Sequence, residues 1–195
     1  MPLNLLVIAV SHLLGSVDFA VLAGNVRGVD VYAEGSGNPG AANVMRTMGR
    51  SAAALVLLGD ATKGAIASAL GLYVGGVPMA VAAGFFAVVG HCYPVFHRFR
   101  GGKGVATAAG AMLVAFPVPA LLLLAVWVGV VAATRTASAG SLAVMVAVVP
   151  MLAILGFSGP VLMWVGAMAL LVVFRHRGNI RRLISRTEAT LSNEH

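Results

Sequence analysis

No Asp, Glu, Lys or Arg occurs between Lys103 and Arg135, and none again between Arg135 and Arg175. A helix crosses the hydrocarbon of a bilayer with about 20 mostly apolar residues, so stretches this long and this free of charge belong in lipid. Charged residues make up only 10% of the 195-residue chain, where a soluble domain carries about a quarter. The chain therefore reads as an all-α integral membrane protein, one transmembrane domain spanning residues 1–195.

Seven spans are expected, at 4–24, 51–71, 78–97, 104–116, 118–134, 139–157 and 159–175. The fourth and fifth are separated at Pro117 and Pro119, since two prolines so close break or sharply turn a helix. Arg27, Arg46 and Arg50 follow span 1; Arg98, Arg100 and Lys103 follow span 3; Arg135 follows span 5; Arg175, Arg177, Arg181, Arg182 and Arg186 follow span 7. The connections between them, "GLYVGGV", "FPVP" and "GFSGP", carry no charge. Every basic connection thus falls on one face, cytoplasmic by the positive-inside rule, which puts the N-terminus outside and the C-terminus in the cytoplasm. "MPLNLLVIAVSHLLG" lacks a basic leader and a clear cleavage site and is kept as a span, and "LSNEH" reads as a tail. The single cysteine, Cys92, allows no intrachain disulfide. Asp60 and Lys63, three apart in span 2, share a helix face and can pair; a structural ion pair is the plainer reading, support of a substrate site the sharper one. Asp18 has no local partner.

Three polar segments interrupt the apolar background, all on the cytoplasmic side of this map: 34–50, 90–110 and 174–188. In the first, "GSGNPGAAN", Gly35, Gly37 and Gly40 let a ligand approach the backbone, and successive N–H groups before a helix can hold an anion. Ser36, Asn38 and Asn43 bring hydrogen-bonding side chains, and Arg46 a fixed positive charge. In the second, Lys103 stands among Gly101, Gly102 and Gly104 where span 4 begins, a second anion site with Thr107 one turn on, either lining it or bonding back to its own helix. In the third, His176 and Asn179 are three apart, on one face if helical, with a proton-exchanging imidazole beside an amide. A basic stretch there could equally be an anchor to acidic lipid heads.

Several tempting matches fail. Gly35, Gly37 and Gly40 satisfy G-x-G-x-x-G, but no strand precedes them, and Asp60 lies in an apolar run. "RGGKGVAT" lacks the upstream glycine and the following Ser or Thr of a nucleotide-binding loop. His91, Cys92 and His97 lack metal-ligand spacing and read as packing or supporting residues, so no metal and no cofactor are expected. No G-x-S-x-G elbow surrounds Ser36, and no histidine is followed five residues later by an acid.

"GSGNPGAANVMR", "GHCYPVFHRFRGGKGVAT" and "RHRGNIRRL" with the later Glu188 are, in order and spacing, similar to the three motifs of the bacterial acyl-phosphate:glycerol-3-phosphate acyltransferases, the PlsY family. The resemblance implies a bacterial inner-membrane enzyme with its active site at the cytoplasmic face. It would move a fatty acyl group from acyl phosphate to the 1-hydroxyl of glycerol 3-phosphate, giving lysophosphatidic acid and phosphate, the first step of phospholipid synthesis. It implies roles in activity for Ser36, Arg46, Lys103, His176 and Asn179, substrate-binding turns at the glycines of the first two motifs, and a structural Glu188 that ties the C-terminal segment to an arginine. Membrane lipids are expected partners, and nucleic acid is not. Three positions depart from the family pattern: Ala42 stands in place of a threonine, Asp18 in place of a proline and Arg186 in place of a glycine.

An acyl phosphate already has a good leaving group, so the chemistry needs two heads held together and an oxyanion stabilised. The glycerol hydroxyl loses its proton either to His176 or to a substrate phosphate; the neighbouring arginines disfavour a protonated imidazole and lean towards the phosphate. A transporter would need more charge inside its spans than Asp18, Asp60 and Lys63, and a lipid-binding scaffold would leave the glycine turns without a purpose.

Overall fold

The computed structural model describes residues 2–190; "LSNEH" lies outside them. The described residues form helices and loops with no strand. They fall into two compact units, the first ending at Ala115 and the second beginning at Phe116.

The first unit holds α1 (Leu3–Gly15), α2 (Phe19–Arg27), α3 (Ala41–Met48), α4 (Arg50–Cys92) and α5 (Val105–Ala115). The expected single helix over 4–24 is broken. α1 ends at Ser16, and Asp18, extended at φ −101°, begins α2 by accepting hydrogen bonds from Ala20 N (3.0 Å) and Val21 N (3.1 Å). An aspartate at this position stabilises a helix start, which gives Asp18 the role its sequence context withheld. α4 is two arms joined at a break: Gly75 (φ −150°, ψ 23°) and Gly76 (φ 67°, ψ −163°) are not helical. The chain doubles back there, because a Cβ on Gly71 would come within 2.4 Å of the Met79 carbonyl oxygen. The break falls inside the uncharged "GLYVGGV" connection expected between spans 2 and 3.

Glycines let the helices of this unit touch through their backbones. A Cβ on Gly15 would lie 2.1 Å from Ala87 O and one on Gly90 2.1 Å from His12 O, which sets α1 on the second arm of α4. Likewise a Cβ on Gly64 would lie 2.0 Å from Thr107 O and one on Gly110 1.9 Å from Ala61 O, setting α5 on the first arm. Such small-residue seams are how helices associate where no hydrophobic force acts between them and lipid. Around α3, Ala20, Val44, Ala52, Ala53 and Val56 form a buried cluster with Phe19, Met45 and Met48 packed on it, so the short helix is fixed to α2 and α4.

The second unit holds α6 (Pro117–Thr134), α7 (Ala137–Ile154), α8 (Pro160–Arg175) and α9 (Arg177–Ile184). Pro117 opens α6 at its first turn, where a missing N–H costs nothing. Phe116 and Phe157 meet edge-on at 4.9 Å. α8 and α9 are bent by 58° at His176.

Among the described residues four stretches can cross a membrane by length and composition, Leu3–Arg27, Arg50–His97, Pro117–Thr134 and Ala137–Ile154, with α8 and α9 a fifth if taken as one bent span. α5 is apolar but shorter. The difference from seven lies in the doubled α4 and in two helices below the length of a full span.

Candidate active site

The first glycine segment is a loop stitched from inside by one side chain. Asn43 Oδ1 accepts from Ser36 N (2.7 Å) and from Ser36 Oγ (3.1 Å), and its Nδ2 donates to the carbonyls of Val31 (3.3 Å) and Glu34 (3.1 Å). Asn43 is 1% exposed, and its bond to the buried Val31 carbonyl is shielded from water, while Ser36 and Glu34 lie at the surface. Gly35 (φ 60°) and Gly37 (φ 66°) take left-handed conformations that side chains resist; a Cβ on Gly35 would also strike Asn43 Oδ1 at 2.4 Å. Gly40 precedes α3, whose first turn has no side-chain cap, leaving the N–H groups of Ala41 and Ala42 available to an anion, while that of Asn43 donates to Gly40 O at 3.0 Å. Ser36 and Arg46 are exposed and Asn38 half-buried. Within the first unit the hydrogen bonds of Ser36 go to Asn43.

The second segment packs on the first. Gly102 is buried between them: a Cβ there would lie 2.6 Å from Pro39 O and 2.3 Å from His91 Nε2. Its N–H donates to His91 O at 3.1 Å. Gly104 (φ 83°) leads into α5, and Lys103 between them is half-buried. Thr107 is fully buried against Gly64, and its hydroxyl bonds neither an open turn nor its own helix. Just before the turn, Arg98 (φ 53°) and Phe99 (φ 59°) are both left-handed without being glycine, a conformation costing about 1–3 kcal/mol per residue; the bonds Phe99 N to Pro94 O (2.9 Å) and Arg100 N to His97 O (3.0 Å) hold it.

Tyr32 belongs to none of the polar motifs, and sequence reasoning missed it. Its hydroxyl donates to Arg100 O at 2.7 Å, and the Arg100 guanidinium lies 4.7 Å from its ring centre. Burial, with a contribution from Asp18, pushes the phenol up to about 12. It clamps the two polar loops together across 68 positions of sequence, a separation no local pattern could signal.

In the second unit, His176 (2% exposed) and Asn179 (5%) are buried at the bend between α8 and α9. His176 Nδ1 lies 2.8 Å from Val172 O, which makes it a donor there and Nε2 the acceptor of the neutral ring. Asn179 Nδ2 donates to Glu188 Oε1, the same oxygen accepts from Ser138 Oγ (2.8 Å), and Glu188 Oε2 pairs with Arg182 Nε (2.6 Å). Burial pushes the Glu188 carboxyl up, but the bonds from Asn179, Ser138 and Arg182, with the charge of Arg182, outweigh it and hold the group below its ordinary 4.5. Glu188 therefore ties the C-terminal segment to α7 and α9. Asp60 and Lys63 do pair, at 2.8 Å, both buried in α4. Among the described residues no group of three or more His, Cys, Asp or Glu is placed to hold a metal.

A family model described as glycerol-3-phosphate acyltransferase matches residues 5–186, across both units. Proteins named glycerol-3-phosphate acyltransferase from Roseobacter denitrificans and Methylococcus capsulatus are 43% and 44% identical to this chain; the first alignment covers 95% of this chain and 92% of the relative, the second 98% of each. Two solved structures are similar throughout. One is described as PlsY (YgiH), an integral membrane glycerol 3-phosphate acyltransferase, in its glycerol 3-phosphate form, with TM-score 0.94, 34% identity, and 97% of this chain and 96% of that one covered. The other, its lysophosphatidic acid form, gives TM-score 0.90 at 35% identity over 96% and 94%.

Proposed function

Because this chain belongs to the glycerol-3-phosphate acyltransferase family and is an integral membrane acyltransferase, we propose that its acyl donor is acyl phosphate and that the product is 1-acylated lysophosphatidic acid. The observation that carries this reading is the pair of glycine turns brought together at Pro39 and Gly102. One holds Ser36 rigidly by two bonds to Asn43, and the other presents Lys103. Both substrates carry phosphate, one with a fatty tail that stays in lipid, and glycine-lined helix starts beside the cations Arg46 and Lys103 suit such heads.

In the proposed reaction the glycerol hydroxyl oxygen attacks the acyl carbon, a tetrahedral oxyanion forms, and the acyl–phosphate C–O bond breaks to release inorganic phosphate. Backbone N–H groups of the Gly35–Gly40 turn other than those of Ser36 and Gly37, which donate to Asn43 Oδ1 and Glu34 O, stabilise the oxyanion, Arg46 and Lys103 bind the phosphates, and Ser36 orients substrate without forming an acyl-enzyme. The hydroxyl proton passes to a phosphate oxygen of the substrate, with His176 and Asn179 holding the reacting head. The 2.8 Å contact of His176 Nδ1 with Val172 O favours a second reading, in which Nε2 of the neutral ring takes that proton. A pH–rate profile whose acid limb disappears in His176→Asn selects the second.

Seven spans, an outside N-terminus, a cytoplasmic C-terminus and an inner-membrane site at the cytoplasmic face complete the proposal, with residues 1–195 acting as one acyltransferase domain. The arms of α4 then count separately, and α5 and α8 each span. The test is a donor comparison on purified protein with glycerol 3-phosphate: lysophosphatidic acid is expected from acyl phosphate, and its formation from acyl-CoA alone overturns the donor assignment. A gain of one acyl mass on the protein after mixing with acyl phosphate alone overturns the role given to Ser36.

A further inference from the structure

The reaction proposed above makes no use of a polar cluster buried in the first unit. Asp60 lies on the first arm of α4 and His91 at the end of the second, and their side chains are 4% and 5% exposed. Lys63 pairs with Asp60 and donates to Val17 O at 2.6 Å, at the break between α1 and α2. His91 faces two ways. Its Nδ1 is 3.3 Å from Asp60 Oδ1, while its Nε2 lies against Gly102, in the volume a side chain there would occupy. The His91 carbonyl meanwhile accepts the Gly102 N–H.

Gly102 is not among the positive-φ glycines, so its lack of a side chain answers to space and not to backbone conformation. On one flank stands the carbonyl of Pro39 from the first glycine loop, and on the other the imidazole. The ring is thus a wall of the turn that carries Lys103, and the buried carboxylate of Asp60 stands 3.3 Å from its other nitrogen. A ring turned away from Asp60 would leave a charge in a low-dielectric interior with one partner fewer, which is costly.

We propose that His91, oriented by Asp60, is a positioning residue for the turn at 101–104 and through it sets the affinity for a phosphate-bearing substrate. The inference rests on the acyl-transfer reading and adds to it a residue that need not touch substrate. If His91 served only to satisfy Asp60 inside the helices, what matters would be a donor in the place of Nδ1. If it serves the turn, what matters is an occupant in the place of Nε2.

His91→Asn keeps a donor towards Asp60 and empties the flank of Gly102; His91→Gln reaches the position of Nε2. KM is measured in turn for glycerol 3-phosphate and for acyl phosphate, which identifies whose head the turn holds, alongside kcat and the melting temperature in detergent. The expected result is a KM for one substrate raised about tenfold or more by Asn with kcat within about threefold, and restored to within about threefold of wild type by Gln. Restoration by Asn and not by Gln overturns the proposal, as does an unchanged KM in both variants or a loss confined to kcat. Should His91→Asn fail to fold, Gly102→Ala presses a methyl on the same ring from the other side and must raise the same KM; no change there also overturns it. A wild-type protein that makes no lysophosphatidic acid fails the acyl-transfer reading instead, and calorimetric binding of glycerol 3-phosphate to wild type, Asn and Gln then applies the same comparison to this one.

Discussion

With one amide accepting twice from Ser36 and donating to two carbonyls, Asn43 holds the first glycine turn in shape. Asn43→Ala strands the buried Val31 carbonyl, a loss of about 1–3 kcal/mol, and releases Ser36 and Glu34, which lie at the surface. We expect kcat/KM to fall by about tenfold or more as Ser36 loses its fixed orientation, with a lowered melting temperature in detergent. Activity within error of wild type contradicts this account of the turn. The sequence put Asn43 among substrate-binding residues because it is polar and close to Ser36; what spacing could not supply is that its amide turns inward. Asp18 was legible in principle, an acid directly before a helical run, yet the surrounding hydropathy hid the break it caps. Tyr32 was not legible at all, since its partner is a carbonyl in another loop.

Among the elements, α9 and the segment after it depend on a single carboxylate. Glu188 binds Asn179 and Arg182 of α9 and Ser138 of α7, and its pKa is depressed from 4.5. A depressed carboxyl contributes stability that is complete above the unfolded value and lost as pH falls through the folded one. Thermal unfolding of the detergent-solubilised protein should therefore weaken on the acid side of 4.5. Glu188→Gln should start about 1–3 kcal/mol lower near neutral pH and show a flatter acid limb; parallel curves for the two proteins contradict the assignment. Apolar runs and paired prolines made most helices readable, since α6, α7 and α8 begin and end within a few residues of the expected spans. The seams Gly15–Ala87, Gly90–His12, Gly64–Thr107 and Gly110–Ala61 were not readable. A glycine inside an apolar helix looks the same from its neighbours whether it faces lipid, as open space around Gly129 and Gly166 permits, or another backbone.

For the molecule as a whole, charge placement is what the sequence offered on topology, and its consequence is testable one unit at a time. In the second unit, a cysteine at Ser158 should react with a membrane-impermeant thiol reagent applied to spheroplasts, and one at Ser185 only after permeabilisation; the reverse pattern contradicts the proposed orientation. Cys92, buried, supplies little background. The membership of the chain rests on motifs spread from residue 35 to Glu188 and on a family match from 5 to 186, so the activity is argued for the whole chain. The most direct measurement of it is a phosphorus NMR time course on the purified protein in lipid, supplied with acyl phosphate and glycerol 3-phosphate together. The account predicts that both substrates disappear one for one as lysophosphatidic acid and inorganic phosphate appear, and that Lys103→Ala halts all four signals. Acyl phosphate consumed while glycerol 3-phosphate stands unchanged would contradict it.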